Sequence, residues 1–182
     1  MTILHCSQKL LKRLRQPSQL PDPAPHGNPL GAWCADIDFI DRLPFVVMMN
    51  SATGLVLVLP GMAADLKRLH EMAALQLAGL MEACGIDNAL SQAELDALLQ
   101  PFSFARSRDR SLVSCMNQRK YEAWSQFAHH RPTAFEVALR LLDRPFTRKD
   151  LGRDYHDAAK LLRLRLLPVA KILPFPVSAS RH

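Results

Sequence analysis

The chain has 182 residues, 48% of them hydrophobic and 22% charged, with a net charge of +6 and a pI near 9.5. That balance fits one globular domain with an extension and a real buried core, and no run approaches the ~20 apolar residues that span a bilayer. The basic excess leans towards an anionic partner: nucleic acid, an acidic protein or a membrane surface.

Met1 to Cys6 is short and apolar and reads as a strand, edge or central. The start lacks the continuous apolar segment of an export signal. Ser7 is placed to cap a helix over QKLLKRLR, with Leu10, Leu11 and Leu14 inward and Lys9, Lys12, Arg13 and Arg15 outward. His5 lies at the strand-to-helix junction, where a packing role is the default. Pro17 to Pro29 holds five prolines and reads as an extended connector at 17–29. A spacer is its simplest role, with a proline-docking partner as the alternative.

Three strands are expected next: Ala32 to Ile40, Phe45 to Met49 and Leu55 to Leu59, with turns at Asp41–Pro44 and Asn50–Gly54. They make an antiparallel meander. The last two are apolar throughout, so helices must cover both of their faces. Asp36 and Asp38 share one face of the first strand. The solvent face of an edge strand is the simpler setting for them than a metal site.

Met62 to Cys84 reads as one long helix stopped by Gly85, with His70 packed in its apolar face. Ser91-x-x-Glu94 has the form of a capping box opening a second helix. Phe102 to Arg106 is a fourth strand.

Arg106 to Trp124 concentrates the basic and aromatic residues. Arg106, Arg108 and Arg110 sit in a loop, Asp109 or Ser111 caps a helix, and Arg119, Lys120, Tyr121 and Trp124 follow on it. Leu112, Met116, Ala123 and Phe127 line one stripe at ~100° per residue. Ser114, Asn117 and Tyr121 form a polar strip beside it. Lys120 falls inside the apolar stripe. It either snorkels its charge out or aims at an anion in a half-buried pocket beside Asn117 and Arg110. Arginines ahead of a helix N-terminus suit an anion too, though each one singly reads as a solvated loop residue.

Thr133-x-x-Glu136 is another capping box, opening a helix to about Asp143. The neighbouring His129 and His130 point apart and do not make a metal pair. Asp150 to Leu167 is a basic helical candidate, although the alternation from Leu162 to Leu166 equally fits a strand. It can pack back on the domain or lie on a membrane or a protein. The proline-rich tail from Pro168 is expected to lack regular structure.

Cys6, Cys34, Cys84 and Cys115 form no C-x-x-C pair and have no histidine at ligand spacing. Neither zinc nor a disulfide framework is called for, and a reducing cytoplasm is expected. Phosphate-cradling, dinucleotide, zincin and nucleophile-elbow motifs are all missing, so no cofactor is expected either.

Three places resemble a family of small bacterial proteins known as a domain of unknown function. Ile3-Leu4-His5-Cys6-Ser7-Gln8-Lys9-Leu10-Leu11 is similar to its I-H-C-T-x-K-L-L opening. Leu30-Gly31-Ala32-Trp33 is similar to its L-G-x-W segment. Arg110-Ser111-Leu112-Val113-Ser114-Cys115-Met116-Asn117 is similar to its N-R-S-V-L-G-S-M-N-D motif. Asp109 stands where asparagine is usual, Ser114-Cys115 replaces Gly-Ser, and Gln118 replaces the aspartate. The resemblance carries no activity, but it puts His5, Lys9, Arg110, Ser111 and Asn117 inside motifs.

The expected architecture is α+β: a small, mainly antiparallel sheet covered by helices over residues 1–150, then a basic helical extension and proline-rich tail over 151–182. The first functional expectation is a binding module for an anionic partner, with nucleic acid foremost. Arg106, Arg108, Arg110, Arg119 and Lys120 would meet phosphates, and Tyr121 or Trp124 would stack on a base. The second is a protein-interaction or regulatory partner encoded in a bacterial operon. The third is an enzyme for a phosphorylated or nucleotide substrate, with His5, Lys9, Arg110 and Asn117 around one pocket.

Overall fold

The computed structural model describes residues 2–17, 20, 27–146 and 156–167. Most of the proline-rich connector and the tail from Pro168 lie outside these residues. β1 (Ile3–Cys6), β2 (Trp33–Ile40), β3 (Leu43–Asn50), β4 (Val56–Pro60) and β5 (Ser103–Arg106) form one sheet in the order β4-β3-β2-β1-β5. β2, β3 and β4 make the expected antiparallel meander. β1, however, runs parallel to both β2 and β5. The α+β class stands, but the sheet is mixed rather than mainly antiparallel. A four-residue strand carries no local sign of its neighbours, and parallel pairing depends on helical crossovers that bring distant strands together.

β2 and β3 turn on Asp41 and Arg42, both at positive φ (46° and 73°), a two-residue loop whose twist matches that of the flanking strands. The next turn is built on buried Asn50. Its Oδ1 accepts from the Ala52 and Thr53 amides and the Thr53 hydroxyl, and its Nδ2 donates to the Leu30 carbonyl. Val46 to Met49 and Val56 to Val58 are buried throughout, so both faces are covered as their composition requires.

α1 (Gln8–Arg13) starts at Ser7, whose hydroxyl accepts from the Leu10 amide. The expected long helix is instead α2 (Ala63–Leu66) and α3 (Leu69–Ala83), broken at Lys67-Arg68. It ends as expected. Gly85 takes φ 68°, its amide bonds the Glu82 carbonyl, and the Ile86 amide bonds that of Met81, a Schellman ending. α1 and α3 cover the face bearing Leu4, Phe39 and Phe104. His70 meets Phe102 edge to face there, a packing role. Gln76 of α3 covers the outer edge of β4: it accepts from the Val58 amide at 2.6 Å and donates to its carbonyl at 2.8 Å.

α4 (Ala89–Leu98) departs from expectation at its start. Its cap is Asn88, and Ser91 is the third residue of the helix. Glu94 therefore caps nothing. Fully buried, it accepts from Asn28 Nδ2, the Leu30 amide and Trp33 Nε1, tying the segment ahead of β2 to α4.

α5 (Arg110–His130) lies over the opposite sheet face, with Phe127 edge-on to Phe45. It runs through His129 and His130 and stops at Arg131, which is left-handed. α6 (Ala134–Leu141) opens with the expected Thr133–Glu136 box. A two-residue ladder pairs β6 (Pro145–Phe146) with β7 (His156–Asp157). α7 (Ala158–Leu166) is helical, which settles the helix-or-strand ambiguity. It packs back on the body: Asn88 Nδ2 donates to the Leu166 carbonyl, and Arg163 Nε to that of Cys84.

Candidate functional site

β1 and β5 end side by side, and each leads at once into a helix, α1 on one sheet face and α5 on the other. In open parallel sheets such a divergence at the carboxyl ends of neighbouring strands leaves a crevice. His5 pairs in register with Cys34 on one side and Ala105 on the other, so these three side chains share the face beneath α5.

They floor a cavity of about 330 Å³, walled by Leu20, Ala32, Ser51 and Leu112 and rimmed by Arg106 to Asp109. A second cavity of about 230 Å³ shares His5, Cys34, Arg106, Ser107 and Leu112 with the first and extends to Ser7, Asp36, Met116 and Asn117. A third, open hollow of about 470 Å³ begins at Asn117 and is lined by Asp38, Phe39, Lys120, Tyr121 and Trp124. The shared residues make one trough. It runs from the β5–α5 loop along α5 to the stacked pair Tyr121–Trp124, whose centroids are 6.5 Å apart.

The trough is held together by Asp36. Its carboxylate accepts from the Ser7 hydroxyl and meets Lys120 Nζ at 2.5 Å. Asp36 is therefore not on the solvent face of an edge strand. β2 is the middle strand, and the side chain is 14% exposed. Lys120 does aim at an anion, but the anion is this one. Arg119 is buried as well, bonding Glu122 at 2.7 Å and the Pro145 carbonyl. Both residues are committed to internal partners, which withdraws Arg119 from any phosphate-binding role.

Lys9 lies 3.8 Å from Asp38, and Lys9 and Arg13 both sit over the Phe39 ring. Arg106, Arg108, Arg110, Ser111, Asn117, Tyr121 and Trp124 are all exposed. Arg106 and Arg108 line the inner cavity, whereas Arg110 and Ser111 line none of the three. The proposed convergence of His5, Lys9, Arg110 and Asn117 thus reduces to His5 and Asn117, joined by Arg106 and Ser107. Asp109 is the helix cap: its Oδ1 accepts from the Ser111 and Leu112 amides, so the terminus of α5 is already answered by a carboxylate.

Ser7, Cys34, Asp36 and Ser107 line the trough although composition did not single them out as binding residues. A signal for one pair was present. Asp36 and Lys120 are opposite charges placed singly in apolar stretches, and a buried charge needs a partner. Cys6 borders the second cavity but is fully buried, and burial, helped by Cys34 and Asp36, pushes its thiol well above the ordinary range, which disfavours a nucleophile. Among the described residues no group of three or more His, Cys, Asp or Glu side chains can hold a metal ion, and no helix is long and apolar enough to cross a membrane.

These features define an α+β domain with a partly aromatic trough at the carboxyl ends of parallel strands. The family described as Domain of unknown function (DUF6933) matches residues 3–161, and the chain belongs to it. Comparison with curated proteins gave no match.

Proposed function

We propose that the protein is a binding module for an anionic partner, and that single-stranded nucleic acid is the partner the trough fits. The observation carrying this reading is the continuity of the three hollows. Cations gather at one end, stacked aromatics at the other, and α5 spans the roughly 21 Å between Arg110 and Trp124. Arg106, Arg108 and Lys120 line it beside Asp36, Asp38 and Asp109, three cations to three carboxylates, and Lys9 and Arg110 stand at its border, Lys9 3.8 Å from Asp38. Tyr121 is 70% exposed and Trp124 39%, wasteful for packing but suited to stacking on unpaired bases. A positive groove with aromatic platforms binds strands with little sequence preference.

Fluorescence anisotropy with short labelled single-stranded RNA and DNA tests this. Affinity should drop severalfold or more as salt rises from about 50 to 200 mM, because each neutralised phosphate releases counterions. Tyr121→Ala and Trp124→Ala should each cost about 1–3 kcal/mol of binding. Affinity that ignores salt, or survives loss of both aromatics, would sink the reading.

A further inference from the structure

The inner end of the trough differs from the rest. The outer hollow is open and suits a strand passing by, whereas the cavity over His5, Cys34 and Ala105 is a recess with a floor, walls and a rim. We propose that this recess is a pocket for one nucleoside monophosphate, either free or as the terminal unit of a strand. This rests on the nucleic-acid reading only for the second source.

The chemistry of the lining divides in three. Leu20, Ala32, Ala105 and Leu112 give apolar surface for a planar base. The His5 ring is half-buried on the floor and lines both inner cavities. It has no hydrogen-bond partner among the described residues, and an imidazole can both donate to and accept from a ligand edge. At the rim, Arg106 and Ser107 both line the two inner cavities, and the exposed Arg106 makes no ion pair among the described residues. An arginine and a serine at one rim suit a phosphate monoester. Among the described residues Asp109 caps α5 through Oδ1 alone, and its Oδ2 is an acceptor for a ribose hydroxyl. A volume of about 330 Å³ lies at the low end of the ~300–1,000 Å³ of small-ligand sites. It admits one nucleotide and no more.

The test uses the full chain and adenosine 5′-monophosphate, titrated to millimolar concentration and followed by two-dimensional NMR. The expected result is saturable shifts at His5, Ala105 and Ser107. Ser107→Phe, which fills the rim, and Arg106→Glu should each weaken binding about tenfold or more, the effect of losing one charged contact. Lys67→Glu, on the opposite sheet face, changes the net charge by the same amount as Arg106→Glu and should leave the titration unmoved. If Ser107→Phe fails to fold, Arg106→Glu against Lys67→Glu still decides. Absence of shifts at the floor, or equal weakening by Lys67→Glu, overturns the pocket.

A second arm separates the sources. A 5′-phosphorylated oligonucleotide is compared with the same strand closed into a circle. Tighter binding of the linear strand assigns the pocket to strand ends. Equal binding, with monophosphate shifts retained, assigns it to free nucleotide. Monophosphate binding without any oligonucleotide binding removes the trough reading and leaves the pocket standing. Salt-sensitive oligonucleotide binding without monophosphate shifts does the reverse.

Discussion

Glu94 and Asp36 are both carboxylates that gather hydrogen bonds from distant parts of the chain, yet their surroundings differ. Glu94 is fully buried and answered by an amide side chain, a backbone amide and an indole. Asp36 is 14% exposed and answered by a hydroxyl and an ammonium on the wall of a cavity. The first arrangement closes on itself and fixes where β2 begins. The second fixes the distance between α5 and the sheet, and so holds a trough open. A sealed polar knot is architecture. A polar knot bordering an empty hollow sets the shape of a site.

The contrast predicts graded effects. Glu94→Gln should be the most damaging, at about 3 kcal/mol in chemical denaturation, because an amide cannot answer all three buried donors. Burial raises the Glu94 carboxyl above its ordinary value, against the opposing pull of its hydrogen bonds. The folded protein therefore binds that proton more tightly than the unfolded chain does. Its contribution to stability is full below the ordinary carboxylate pKa and is lost as pH rises through the raised value. Wild type should lose stability across that window and Glu94→Gln should not; parallel pH profiles would mean that Glu94 is no buried titrating group.

Lys120→Met should cost less, about 2 kcal/mol, since it strands the Asp36 charge in a partly wet site. Adding Asp36→Asn should recover part of that loss, so the double variant falls short of the two singles combined. Strict additivity would make the pair a solvated bridge of little consequence and erase its difference from a surface pair. The exposed Glu136 supplies the lower end of the scale. Hydrogen bonds from the Thr133 amide and hydroxyl lower its pKa. Its stabilisation is present above the ordinary carboxylate value and is lost as pH falls through the lowered one. Glu136→Gln should melt slightly earlier than wild type at neutral pH, and the two curves should merge in acid.

Local chemistry made several elements readable. Ser7, Gly85 and the Thr133–Glu136 box each act within one helical turn of where they stand, and the meander follows from apolar runs divided by turn residues. The alternative reading of Leu162 to Leu166 as a strand failed because a period of two over five residues is too short to exclude a helix. Ser91-x-x-Glu94 misled for a related reason. A capping box needs only local residues, but Asn88 lies three positions earlier and Glu94 finds stronger partners far away, in Asn28 and Trp33.

The trough shows the division most clearly. By itself the sequence determined the class of fold, most helix boundaries, the family, and the stretch from Arg106 to Trp124 as the place where charge and aromatic surface collect. Tertiary structure alone decided that β1 is parallel to β2 and β5, that His5, Cys34 and Ala105 share one floor, and that Arg119 and Lys120 are spent on internal partners. The reason is distance along the chain. Caps and turns are settled by neighbours a few residues away, whereas strand pairing and the matching of buried charges join residues dozens of positions apart, and no local pattern records them.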